Sequence, residues 1–221
     1  MDKKNTTIYP KAHFTPQTGW MNDPNGLVCH DGVYELYYQY NPYGVEWNHI
    51  SWGHAKSTDL VNWENLPVTL TPDEDGYMFS GCGIRNDHGM LGLPKDTLLF
   101  FYTAAGHMSP ESAGKGFKIM LAVSTDGGRT LEKTGKVLLD SPAWENRDPK
   151  VFWHEESSAY ILVLYLHGQD FGIFRSENLE HFELTDRITL EGGYECPDLY
   201  LLPVEDSQEK KWVFWSADGS Y

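Results

Sequence analysis

The chain has 221 residues, enough for one large domain or two small ones and for a sizeable core without disulfide staples. Its 40% hydrophobic and 22% charged content is that of a globular protein and excludes global disorder. The net charge of −15 disfavours nucleic acid, anionic membranes and acidic substrates as partners.

The first residues, Met1 to Thr7, lack an apolar core, so no signal peptide is read there and a cytoplasmic location is expected; a leader removed earlier would make the protein secreted. Residues 1–12 are read as a tail. Three cysteines, Cys29, Cys82 and Cys196, form no CxxC pair and do not make a disulfide framework, which fits a reducing compartment. The longest apolar run, Tyr160 to Leu166, is far too short for a membrane-spanning helix.

From about His13 onward, turn residues punctuate short runs rich in Tyr, Phe, Val, Ile and Leu, which is strand spacing. Apolar runs begin at Val33 (VYELYYQY), Thr97 (TLLFFYT), Ala159 (AYILVLYL) and Lys211 (KWVFW), 64, 62 and 52 residues apart. A second element keeps the same beat: residues 57–63 (STDLVNW), 124–131 (STDGGRTL) and 176–182 (SENLEHF). Its Ser and Asp or Asn side chains suit a self-bonded turn, with the apolar residue that follows pinning the turn to the sheet. The stretch 173–191 lacks Gly and Pro but is interrupted by Ser176-Glu177-Asn178, and reads as strand, turn, strand. A repeat of this length carrying several strands predicts propeller blades, three complete and a fourth begun near Glu191. A β-sandwich with coincidental spacing is the competing reading.

Nucleotide-binding glycine motifs, the GxSxG elbow and HExxH are all absent, so no metal or organic cofactor is expected and chemistry falls to carboxylates. Asp23 in WMNDPNG, Asp148 in ENRDP and Glu195 in GYECPD each lie next to or near a proline, and each opens a different repeat. An Asx–Pro turn is the common use of such a pair. At equivalent positions of successive blades, however, three carboxylates converge on one funnel and perturb one another's titration.

These residues carry a resemblance. Trp20 to Gly26, Tyr38-Gln39-Tyr40-Asn41-Pro42, Trp47 with Trp52-Gly53-His54, Phe79-Ser80-Gly81, Arg147-Asp148-Pro149 and Glu195-Cys196-Pro197 resemble, in order, the motifs of glycoside hydrolase family 32, the β-fructofuranosidases. The resemblance implies an all-β, five-bladed propeller, with residues 13–221 of this chain covering about three and a half blades and lacking the family's β-sandwich. It implies a retaining hydrolase that cleaves terminal β-D-fructofuranosides of sucrose or fructans. Asp23 is then the nucleophile, Glu195 the acid/base and Asp148 the transition-state stabiliser, with Arg147 orienting Asp148 and keeping it charged. Asn22, Gln39, Trp47, Phe79 and Ser80 hold the first sugar. Cys82 and Asn48 stand where many members have Ser and Gly, which bears on substrate preference. An incomplete propeller also fits a non-catalytic fructan-binding or regulatory fragment, and fructosyl transfer is a variant of the same chemistry. A second chain or an oligomer would complete the propeller.

Overall fold

The computed structural model describes residues 10 and 12–217. Apart from Pro10 and Ala12, the tail expected over 1–12 lies outside these residues, as do positions 218–221. Among the described residues, fourteen antiparallel strands form three four-stranded sheets and one two-stranded sheet. The first sheet holds β1 (Trp20–His30), β2 (Val33–Asn41), β3 (Ser51–Ser57) and β4 (Glu64–Leu70). The second holds β5 (Tyr77–Arg85), β6 (Leu98–Ala105), β7 (Lys118–Ser124) and β8 (Glu132–Asp140). The third holds β9 (Arg147–His154), β10 (Ala159–His167), β11 (Asp170–Ser176) and β12 (Glu183–Thr189), and the fourth pairs β13 (Tyr194–Pro203) with β14 (Lys210–Ala217). Each sheet runs in sequence order from its first strand outward, as propeller blades do. The only helical pieces among the described residues are two single 3₁₀ turns, Met90–Gly92 and Pro110–Ser112. The segment 173–191 is strand, turn and strand, as its composition predicts.

The four apolar runs of the sequence are the second strands of the four sheets. Where blades pack on both sides, as around β6 and β10, a second strand is covered on both faces and needs no polar face, whereas β14 of the two-stranded sheet stays partly exposed. All eight residues of β6 are buried. Its alternation divides two cores. Leu99 and Phe101 join Val151, Tyr160, Leu162 and Leu164 of the third blade, while Leu98, Phe100 and Tyr102 join Val28, Tyr37 and Trp52 of the first. Each fully buried side chain of this size contributes roughly 1.5–3 kcal/mol. Polar links join the same blades. The Tyr37 hydroxyl donates to the Gly128 carbonyl in the β7–β8 turn, and the Trp52 indole N–H donates to the Phe79 carbonyl at 3.0 Å. Gly26 follows the Asp23 motif at φ +54, where a Cβ would press on the rings of Tyr37, Phe100 and Trp52 at 3.0–3.1 Å.

The recurring turns are built as their sequences imply. Ser57 Oγ accepts from the backbone N–H of Asp59 and Leu60, Ser124 Oγ from Asp126 and Gly128, and Ser176 Oγ from Asn178 and Leu179. Pinning by the following apolar residue holds only in part: Leu179 is fully buried, whereas Leu60 is 48% exposed. In the first blade the neighbouring Trp63 packs instead, against Phe14.

The two-stranded sheet leaves Tyr194, Tyr200, Leu201, Leu202 and Trp212 each at least 40% exposed. Apolar side chains exposed on an open sheet drive association. The isolated 221-residue chain should therefore elute as an oligomer or aggregate in size-exclusion chromatography with light scattering; a monomer with one sharp melting transition would contradict this.

Candidate active site

The innermost strands of the four sheets are β1, β5, β9 and β13, and the ladder of each is broken, twice in β1 (the second time between Asn25 and Val28) and once in each of the others. The register slips between Met21 and Pro24 in β1, between Phe79 and Gly81 in β5, between Arg147 and Lys150 in β9, and between Tyr194 and Asp198 in β13. Asp23, Ser80, Asp148 and Glu195 lie in these four gaps. Pro24, Pro149 and Pro197 stand in or at the edge of three of them, where a residue without an N–H costs the ladder nothing. A bulge bends the strand and re-aims its side chain, and such bulges gather at functional sites. The acidic residues thus sit inside strands, not in the turns ahead of them. Backbone strain marks the same places: Asp148 has φ +61, Cys196 +47 and Glu195 +20.

Hydrogen bonds join the four bulges. Asp23 Oδ2 accepts from Ser80 Oγ at 2.8 Å and from Gln39 Nε2 at 3.3 Å, and Gln39 Nε2 also donates to Ser80 Oγ at 2.7 Å. Thr103 Oγ1 donates to the Ser80 carbonyl at 3.1 Å and accepts from the Asp148 backbone N–H at 3.1 Å. Asp148 Oδ2 accepts from the Cys196 backbone N–H at 3.1 Å, with the Cys196 thiol 3.6 Å away. Arg147 donates from Nε and Nη2 to Glu195 Oε2 at 3.1 and 3.0 Å, from Nη2 to the Tyr194 hydroxyl at 3.1 Å, and from Nη1 to the Glu145 carbonyl at 3.0 Å. Its guanidinium lies over the Tyr165 ring, 4.4 Å from the centroid. A cavity of about 720 Å³ opens beside Asp23, Ser80, Asp148 and Cys196. A larger one, about 880 Å³, lies apart from the carboxylates, between the first two blades.

Gln39, Ser80 and Asp148 are buried, Asp23 and Phe79 partly so, and Asn22 is exposed in the same bulge as Asp23. Trp47 is 45% exposed and meets Phe79 edge-on at 6.0 Å. Thr103 and Tyr194 were not foreseen. Thr103 had a signal, as the one aliphatic hydroxyl in the apolar run of β6; it is fully buried. Tyr194 had none.

Arg147 departs from expectation. Its fork grips Glu195 and stands 3.8 Å from Asp148. Burial is the strongest influence on Asp148 and pushes its pKa up to about 7. The Cys196 N–H and Arg147 pull it down less strongly, and the charges of Glu195 and Asp23 add to the rise. Arg147 therefore does not by itself keep Asp148 ionised. Burial followed by the charge of Asp148 also raises the pKa of the Cys196 thiol, and burial pushes that of Cys82 up to about 11.

A propeller whose inner strands bring carboxyl groups from three blades into one network has the makings of a two-carboxylate glycoside-cleaving centre. The chain belongs to the glycosyl hydrolases family 32, whose N-terminal domain matches residues 13–220. It is 40% identical to a levanase of Bacillus subtilis over 96% of this chain and 32% of the levanase, and 36% identical to an invertase of Schizosaccharomyces pombe over 96% of this chain and 38% of the invertase. In structure it is similar to the β-fructofuranosidase of Schwanniomyces occidentalis complexed with fructosyl-erythritol, with a TM-score of 0.83 and 33% identity over 96% of this chain and 44% of that one. The exo-inulinase of Aspergillus awamori superposes with a TM-score of 0.80 and 35% identity over 92% of this chain and 45% of that one. The chain spans between a third and under a half of the length of these relatives.

The raised pKa of Asp148 gives a linkage test. The group holds its proton more tightly folded than unfolded, where a free Asp titrates near 3.9. Its contribution to stability is thus complete below about pH 4 and is lost as pH rises through about 7. Asp148→Asn keeps the shape and removes the titration. Thermal melts should show the variant more stable than the parent at pH 8, by roughly 1–3 kcal/mol, with the difference shrinking toward pH 5. A difference that does not change with pH would refute the shift.

Proposed function

We propose that the complete protein is a retaining β-fructosidase that releases terminal fructose from sucrose or from β-linked fructans through a fructosyl-enzyme intermediate. The observation that carries this is the convergence of Asp23, Asp148 and Glu195, from bulges of three separate blades, into one hydrogen-bonded network. The substrates named for the relatives, levan, inulin and sucrose-type fructosides, share that terminal unit.

Retention needs an ionised nucleophile and a protonated acid on opposite sides of the anomeric carbon, about 5 Å apart. Asp23 suits the first role. Two donors, Ser80 and Gln39, bond the same oxygen, Oδ2, and leave Oδ1 for attack. Glu195 suits the second. It is half-exposed, so a leaving group can reach it, and Arg147 holds its orientation through Oε2, leaving Oε1 for proton transfer. As the acid gives up its proton, the guanidinium stabilises the carboxylate that forms. Asp148 lies deeper and accepts sugar hydroxyls. Each hydroxyl that bonds it favours the ionised form and offsets the effect of burial, so substrate completes the charge state that Arg147 alone does not secure. Trp47 and Phe79 offer an apolar wall, and Asn22 and Gln39 offer paired donors and acceptors, to the fructosyl ring. Transfer to a sugar acceptor would use the same intermediate.

In the complete enzyme, Asp23→Asn should lower kcat on sucrose by about four orders of magnitude or more, with the fold unchanged by circular dichroism. Glu195→Gln should slow poor leaving groups most, and azide should partly rescue it by replacing water as nucleophile. Undiminished turnover by Asp23→Asn would remove the nucleophile assignment.

A further inference from the structure

Trp144 lies in the loop between β8 and β9 and is 55% exposed. An indole left this open is usually loose, but this one is held from several sides. Its ring stacks on the His107 imidazole at 5.4 Å and 10° between planes. Its backbone carbonyl accepts from Phe117 N–H at 3.0 Å. Gly116 makes room for this loop, since a Cβ there would clash with Ser141 Oγ and come within 3.3 Å of the indole. Behind it the stack continues. His107 lies on Phe117 at 5.1 Å, Phe117 meets Phe79 at 5.5 Å, and Phe79 meets Trp47 at 6.0 Å. The row has an exposed indole at each end and the buried Phe117 between them. One end, Trp47, is the wall assigned to the first sugar; the other has no partner in the mechanism.

The position of that second end is set by the acid's own support. Trp144 precedes Arg147 by three residues, which span at most about 11 Å of chain. Glu145, between them, gives its carbonyl to Arg147 Nη1 at 3.0 Å and places its carboxylate 3.4 Å from His107 Nε2. Arg147 in turn grips Glu195. The indole is thus tied through its own loop to the arginine that grips the acid, while the aromatic row behind it runs to the fructosyl wall.

We propose that Trp144 is the platform for the sugar ring on the leaving-group side of the scissile bond, a hexose unit whose C–H face lies on the exposed indole. The proposal rests on the fructosidase reading of the site and extends it. A flat apolar ring, ordered before the ligand arrives, suits a sugar face because little side-chain freedom is lost on binding. The stacked His107 and the Glu145 anchor fix its angle, so the platform also steers the glycosidic oxygen toward Glu195.

The test uses calorimetry on the complete protein carrying Asp23→Asn, so that nothing turns over. The trisaccharide 1-kestose should bind about tenfold more weakly when Trp144→Ala is added, and Trp144→Phe should recover most of the loss. Free fructose, which fills only the first subsite, should bind equally well to all three. In the active enzyme, Trp144→Ala should raise KM for kestose by more than it lowers kcat. Undiminished kestose binding by Trp144→Ala, or an equal loss of fructose affinity, would overturn the platform. Should the unmodified enzyme release no fructose while kestose binding still depends on Trp144, the hydrolase reading would fail and the platform would stand.

Discussion

An innermost propeller strand has to satisfy a ladder on one side while presenting a side chain to the axis, and a proline in that strand cannot donate to the ladder. In this chain the two demands meet at the same residues. Pro24, Pro149 and Pro197 stand where β1, β9 and β13 lose register with β2, β10 and β14, and the carboxylates beside them are turned out of the pleat. The fourth inner strand does the same without proline: Ser80 is the extra residue opposite the Thr103–Tyr102 step. Because every blade bulges at its innermost strand, residues far apart in sequence come within hydrogen-bonding reach. Thr103 then ties two of the bulges together by bonding the Ser80 carbonyl and the Asp148 N–H. The strain at Asp148 and Cys196 is tolerated because packing between blades over-determines those backbones.

The electrostatics of the site follow from depth. Burial first, and then the charges of Glu195 and Asp23, raise the proton affinity of Asp148. Asp148 is buried, so desolvation dominates, and Arg147, 3.8 Å away, lowers its pKa less than burial raises it. Arg147 spends its fork on the more exposed Glu195 and lays its plane over Tyr165. That allocation separates the duties of two nearby acids: one is oriented by a cation at the mouth, and the other is held by a backbone N–H at depth, ready for hydroxyl donors.

Second strands were legible because burial on both faces removes alternation and leaves an unbroken apolar run, as in LLFFYTAA. First and last strands were not. β1 is interrupted by Asn, Asp, Pro and Gly and looks like a turn, while β12 (ELTDRIT) is nearly all exposed and carries little apolar pattern. The Ser-x-Asp/Asn turns were legible because their hydrogen bonds are local. Leu60 and Leu179 stand at matching places in two of those turns and differ in burial, because packing comes from the neighbouring blade, which a local motif does not encode.

From residues alone came the all-β repeat, the beginning of a fourth blade, the three carboxylates and the family they resemble, since all of these depend on residue type and spacing along the chain. Tertiary structure alone decided which acid Arg147 serves, how far burial lifts Asp148, that Thr103 joins two blades, and that Trp144 is pinned flat and open beside the acid's support. Each of these is set by distance and desolvation between residues on different strands and loops, and those quantities exist only once the blades have packed.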